Sequence, residues 1–309
     1  MKHPSVLLLG GGGFLGSALA ERLCKKGWRV HILGHSPGET TREHVIGHWG
    51  DIGDRSLVEP VLLECDILIH LASGSTPGSS VGKPLMEAEV NLIPTLKFLD
   101  IFKNCENRRM IFISSGGTLY GNPETVPVDE EHMLQPLSYH GAGKIAIEAF
   151  LQAFVNDSGK EVTILRPSNV YGPGQSLRQG FGFVRTVLEH ARQGTEIEIW
   201  GDGSVVRDFL YIQDMINGIE AVIDAEPHTD VYNVGYGKGY SLKEVMKTVE
   251  QVCNRKLKVK YLPARKVDVK QVVLDCAKIK KRLGWKPETP LKEGIGLTWE
   301  WMLQQKSLE

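Results

Sequence analysis

The chain has 309 residues, 41% of them hydrophobic and 24% charged, with a formal net charge of −1; this is the composition of a globular protein large enough for a sizeable core. The near-zero charge excludes a general pull toward nucleic acid or an anionic membrane surface, and no apolar run is long enough to be a membrane span. Cys24, Cys65, Cys105, Cys253 and Cys276 are scattered without a CxxC pair, so they read as reduced thiols of a cytoplasmic protein, holding neither a disulfide frame nor a metal.

From the N-terminus, apolar runs alternate with helical patterns. Ser5–Leu9 reads as a buried strand, Phe14–Lys26 as a helix and Arg29–Leu33 as a second strand. A short helix near Ser56–Glu64 leads to a strand at Asp66–Leu71. A longer helix near Pro84–Asn104 leads to a strand at Met110–Ser114, and a helix beginning after Ser138 leads to Glu161–Leu165. This alternation predicts an α/β fold with a doubly wound parallel sheet covered by helices on both faces. After Arg166 the stretch "RPSNVYGPGQSLRQGFG" predicts a long loop and a domain boundary. Beyond it, short strands at Glu196–Trp200, Val231–Val234 and Lys258–Leu262 mix with helices, one opened by a capping box of Ser241 and Glu244. The expected domains are 1–167, with return elements near 205–235, and a smaller α/β cap over 168–309.

"SVLLLGGGGFLGSALAERL" sets Gly10, Gly13 and Gly16 between the first strand and the first helix. Glycines so placed allow a tight turn, backbone contact with a pyrophosphate and close helix–strand packing. The first helical residues, Phe14, Leu15 and Gly16, offer free N–H groups and a positive dipole end. The expected ligand is a dinucleotide. An acid at the end of the second strand would bond the ribose 2′-OH of NAD, but Gly34 stands there, and His35, Ser36 and Arg42 come next as candidate 2′-phosphate partners. The cofactor expected is therefore NAD or NADP, with a slight lean to NADP.

Further segments, in order, are "GDIGD", "DILIHLAS", "VNLIPTLKFLD", "FISSGGTLYG", "YHGAGKIAIE", "LRPSNVYGPG", "WGDGSVVRDFLYIQDM" and "LDCAKIKKRLGWKPETPLKEGI". Together with the glycine loop they resemble the extended short-chain dehydrogenase/reductase family, which has a Rossmann domain. The likeness is nearest to its nucleotide-sugar 4-epimerases and 4,6-dehydratases. The resemblance implies that Asp51 and Ile52 border the adenine. It sets Leu71, Ala72, Ser73, Asn91, Ser114 and Pro167 beside the cofactor, and has Lys144 hold the nicotinamide ribose. It further implies that Asn169 contacts the sugar nucleotide, that Arg207 and Arg265 clamp its diphosphate or uridine, and that Asp268 contacts its ribose. Arginine suits that task because its planar fork pairs bidentately with phosphate oxygens. Val272 is implied near the sugar's 2-substituent, where valine leaves room for an N-acetyl group.

The chain departs from the family pattern at the catalytic group, which is Ser/Thr, Tyr and Lys. Lys144 is present, but the tyrosine position four residues before it holds His140, and Tyr139 precedes that. A residue one step away points about 100° around the helix. The hydroxyl position holds Gly116, flanked by Ser115 and Thr118, of which Thr118 is the expected substitute. Three readings compete. His140 is the working base, kept neutral by the lysine cation; or Tyr139 turns into the site; or the site binds ligands and reacts poorly. The first leads. The acidic pair that the dehydratases carry before "VYG" is replaced by Gly117 and Thr118, which favours epimerisation. The expected function is C4 epimerisation of a UDP-hexose or UDP-N-acetylhexosamine by a homodimer. An NADPH-dependent 4-ketosugar reductase and a non-catalytic nucleotide-sugar-binding protein are the alternatives.

Overall fold

The strand Ser5–Leu9 is buried at every position, as a sheet covered on both faces requires. In the computed structural model, which describes residues 4–35, 45–106, 109–177, 182–264 and 269–305, this strand pairs in parallel with Arg29–Gly34 on one side and Ile67–His70 on the other. Seven strands join in the order Asp230–Val234, Glu161–Pro167, Arg109–Ile113, Ile67–His70, Ser5–Leu9, Arg29–Gly34, Val45–Trp49. The last of these has no clear signal in the sequence. "VIGHW" is a half-exposed edge strand with a glycine at its centre, and so lacks the apolar run that marks its neighbours.

The chain divides into two compact units. The first comprises 1–114, 139–165 and 222–232. Its core packs Leu7, Leu68, Phe112 and Val162 of the sheet against Phe98, Phe102 and Phe154 of the helices. The helix expected over Pro84–Asn104 is interrupted. It runs as Pro84–Glu87, then a π turn over Ala88–Leu92, then Ile93–Phe102. Pro94 lies just past the π turn and has no N–H to donate to the carbonyl of Val90, so regular α-helical bonding fails there.

The second unit comprises 115–138, 166–221 and 233–309. Strand Val206–Tyr211 is its centre. It pairs with Gly239–Ser241 in antiparallel sense and with Gln271–Val272 and Asn169–Tyr171 in parallel. Asn169–Tyr171 thus forms a strand inside the segment read as loop. Glu196–Trp200 and Lys258–Leu262 form a separate parallel pair. The helix Leu242–Cys253 begins with the capping box expected of Ser241 and Glu244. Asp208 is an internal anchor: its carboxylate accepts hydrogen bonds from the N–H groups of Tyr236, Gly237 and Leu274 and from the hydroxyl of Ser168. Among the described residues no helix is long and apolar enough to cross a membrane.

Candidate active site

The turn after the first strand depends on close backbone approach. Gly10 has φ +79°, and a Cβ there would lie 2.7 Å from Ala72 Cα; a Cβ at Gly16 would lie 2.5 Å from Gly11 Cα. Only glycine fits at either place. The N–H of Gly13 bonds the carbonyl of Gly10 at 3.0 Å. The next helix, Phe14–Lys25, has no capping side chain and no acid in its first turn. The N–H groups of Phe14, Leu15 and Gly16 therefore lack intrahelical acceptors, at the positive end of the helix. This cradle, which any Cβ would fill, fits a dinucleotide pyrophosphate.

Around the cradle, Leu71 donates its N–H to Leu9 at 2.9 Å. Ser73 is exposed and its hydroxyl bonds the carbonyl of Ser75 at 3.1 Å. Asp51 is exposed and accepts from the N–H of Gly53 at 2.7 Å, and Ile52 packs on the core. His35 is exposed just past the strand Arg29–Gly34; Ser36 and Arg42 lie outside the described residues. Ser114 is buried, and its hydroxyl bonds Glu148. Pro167 ends its strand.

The helix Tyr139–Ser158 carries the altered catalytic position. Tyr139, its first residue, is 43% exposed, whereas His140 is 7% exposed. Lys144, one turn on, is 4% exposed; its ammonium donates to the carbonyl of Ile113 at 3.0 Å and sits 4.8 Å from the centre of the Phe112 ring. Burial and then the Lys144 cation push the His140 pKa down to about 3. Burial brings Lys144 to about 8, with the carboxylates of Glu87 and Glu148 pulling the other way. At pH 7 the imidazole is neutral and the lysine is charged.

His140 belongs to a buried polar cluster that the sequence does not suggest. Its Nδ1 lies 2.9 Å from the hydroxyl of Ser75, and its backbone N–H donates to Ser80 Oγ at 3.2 Å. The Ser75 hydroxyl donates to Glu87 Oε2. Asn91 Nδ2 donates to Ser75 Oγ at 2.8 Å and to Glu87 Oε1 at 2.7 Å, while its Oδ1 accepts from the N–H of Gly74 at 2.8 Å. Glu87 is 3% exposed and lies against the helix at Gly143, where a Cβ would come within 2.5 Å of its Oε1. His140 Nε2 makes no hydrogen bond among the described residues.

In the second unit, Ser115 precedes the short helix Gly116–Leu119. Thr118 Oγ1 donates to Ser115 Oγ at 2.9 Å, so the two expected hydroxyls are paired. Gly116 cannot carry a side chain: a Cβ would lie 2.7 Å from Leu274 Cδ1 and 2.8 Å from the Arg166 carbonyl. Asn169 donates to the carbonyl of Asp208 at 2.9 Å, and a Cβ at Gly117 would lie 3.5 Å from its Nδ2. Arg207 is half-buried, with Nη1 donating to the Val206 carbonyl at 2.9 Å. Val272 is buried in a small cluster with Tyr120, Val128 and Leu274. Arg265 and Asp268 lie outside the described residues.

Comparison with known proteins gives the family and the fold. Residues 6–235 match the model of the NAD dependent epimerase/dehydratase family. The structure of UDP-glucose 4-epimerase from Thermotoga maritima with UDP-glucose superimposes with a TM-score of 0.92 at 31% identity, over 99% of this chain and 100% of that one. The UDP-glucose 4-epimerase of Thermus thermophilus, in complex with NAD, gives 0.90 at 29%, over 97% and 99%. UDP-glucuronic acid decarboxylase 1 of Xenopus tropicalis is 29% identical over 301 residues, 95% of this chain and 70% of that protein. These findings correct the lean to NADP, which they do not support. Gly34 removes a repulsion but supplies no group that holds a 2′-phosphate.

Proposed function

The chain belongs to the NAD dependent epimerase/dehydratase family, and from that premise we propose that it is an NAD-using nucleotide-sugar 4-epimerase acting on a UDP-hexose or UDP-N-acetylhexosamine, with His140 as proton acceptor. One observation carries this reading: a buried, neutral imidazole with its Nε2 unbonded stands one turn before a buried lysine on the same helix. NAD, held at the glycine cradle, supplies the acceptor and donor of hydride at C4. His140 Nε2 takes the proton of the 4-hydroxyl as the 4-keto sugar forms and returns it to O4 once the sugar has turned and hydride has come back to the other face of C4. Lys144, charged at pH 7, holds the nicotinamide ribose, a role carried over from the family. Ser115 and Thr118 are the substitute hydroxyls of the second unit, since Gly116 has no room for one. Asn169, Arg207, Arg265 and Asp268 are assigned to the sugar nucleotide on the same grounds.

The epimerases of Thermotoga and Thermus support the reaction, and the Xenopus decarboxylase is the reason to test it against another. A homodimer through the helices at Pro84–Phe102 and Tyr139–Ser158 is part of the proposal. Exposed Leu85, Val90, Ile93 and Phe150 on these segments support it, and a monomeric mass by light scattering would count against it. The deciding experiment is a proton NMR time course with UDP-glucose, UDP-N-acetylglucosamine and UDP-glucuronic acid, each with NAD⁺. The expected result is the anomeric signal of a 4-epimer, lost in His140→Ala and kept in His140→Tyr. Release of carbon dioxide from the glucuronic acid arm would move the reaction to that of the decarboxylase. Binding without turnover in every arm would overturn the enzymatic reading.

A further inference from the structure

Resting on that reading of His140, we propose that Glu87 acts through Ser75 as the positioning residue of the base, holding the imidazole as its Nδ1–H tautomer so that Nε2 keeps the lone pair. The available hydrogens decide the tautomer. Ser75 Oγ has one hydrogen and two lone pairs, and it meets three partners: Glu87 Oε2, Asn91 Nδ2 and His140 Nδ1. The orientation of the Asn91 amide is set by the Gly74 N–H, which needs an oxygen, so Nδ2 faces Ser75 as a donor. Both Glu87 oxygens act as acceptors, one from Asn91 and one from Ser75, so the single Ser75 hydrogen goes to Glu87. The contact with His140 is then satisfied in one way only, by Nδ1–H donating to Oγ. A neutral imidazole with hydrogen on Nδ1 has its acceptor at Nε2, the atom left without a hydrogen bond among the described residues.

The arrangement also answers a cost of the site. Protonated His140 would stand beside the Lys144 cation in a buried setting. The Ser75 hydroxyl bridges the ring and the Glu87 carboxylate, which offsets the positive charge as it forms. In the step itself the sugar O–H bond breaks and the Nε2–H bond forms, while the C4–H electron pair leaves as hydride to the oxidised nicotinamide. Glu87 and Ser75 touch neither.

Glu87→Gln tests this, because glutamine cannot accept from both donors. If its oxygen faces Asn91, its amide donates to Ser75, and the Ser75 hydrogen turns to Nδ1 and forces the opposite tautomer. The first measurement is long-range ¹H–¹⁵N NMR of the full-length protein labelled in its histidine rings. Wild type at pH 7 is expected to show a pyrrole-type Nδ1 and a pyridine-type Nε2 for His140. Glu87→Gln is expected to interchange the two, with kcat down about 10²-fold or more and KM changed little. Ser75→Ala, which leaves Glu87 in place, is expected to give a mixture of tautomers and an intermediate kcat. An Nε2–H tautomer in wild type, or Nδ1–H retained in Glu87→Gln, overturns the inference even where turnover is robust. The expected tautomer and its interchange in a protein without turnover would uphold the positioning role and remove the epimerase reading alone.

Discussion

Asp208 and Glu87 are both buried almost completely, and their hydrogen-bond donors differ in kind. Asp208, in the second unit, takes three bonds from backbone N–H groups and one from Ser168. Glu87, in the first, takes its bonds from two side chains, Ser75 and Asn91. Backbone donors belong to the chain's path, so Asp208 ties three stretches of it together and its replacement is felt as loss of fold. Side-chain donors have other partners, and one of those at Glu87 passes the interaction on to an imidazole. At equal burial, the kind of donor separates an anchor from a device that sets up chemistry.

The comparison breaks first if His140 does nothing. His140→Ala is expected to lower kcat by about 10²–10⁴-fold with the urea midpoint little changed; an unaltered rate would leave the Glu87 cluster without a purpose. Asp208→Ala should act in the opposite way. It leaves three N–H groups and a hydroxyl without their acceptor, so a loss of about 3 kcal/mol or more in urea unfolding is expected. Gly143→Ala sharpens the contrast, since its Cβ would arrive 2.5 Å from Glu87 Oε1. A loss of about 1–3 kcal/mol is expected together with a fall in rate, which no substitution at the Asp208 anchor should match at equal stability.

The smallest effect is one of slope. The His140 pKa falls from 6.5 to about 3 on folding, so the unfolded chain binds the proton first and stability is lost as pH drops through that window. Burial raises Asp208 from 3.8 to about 6, so the folded chain holds the extra proton and stability falls as pH rises between those values. The two regions therefore pull in opposite directions over the same range. His140→Gln should flatten the acid loss of stability and Asp208→Asn should steepen it, read from urea unfolding between pH 7 and 4. His70, likewise lowered to about 3, has the sign of His140 and persists in both variants.

Much of the fold is local in the sequence. The glycine turn, the alternation of the first half and the capping box of Ser241 are patterns within one element or two, and the chain shows them directly. The edge strand Val45–Trp49 escapes such a reading because half-exposure breaks its apolar run. Lys144 marks His140 as the unusual residue, and the spacing gives one cause of its neutrality; burial, the larger cause, is a property of packing. The Ser75–Glu87 cluster is not legible at all. "ASGSTPG" reads as loop and "PLMEAEVN" as uninterrupted helix, and Ser75 reaches His140 across 65 positions of chain. Ser36, Arg42, Arg265 and Asp268 lie outside the described residues.

The π turn over Ala88–Leu92 gives the first unit an evolutionary hinge in residue count. Such a turn holds one residue more than the α-helix would. The wider turn absorbs that residue, so deleting a single position from it would restore regular helix with Pro84–Glu87 and the helix Ile93–Phe102 near their present phase. A deletion inside the regular helix Ile93–Phe102 has no such slack and would turn Glu87 by about 100° relative to the residues beyond it. Chain length can therefore change at the π turn with less disturbance of the Glu87 cluster than in the helix that follows it.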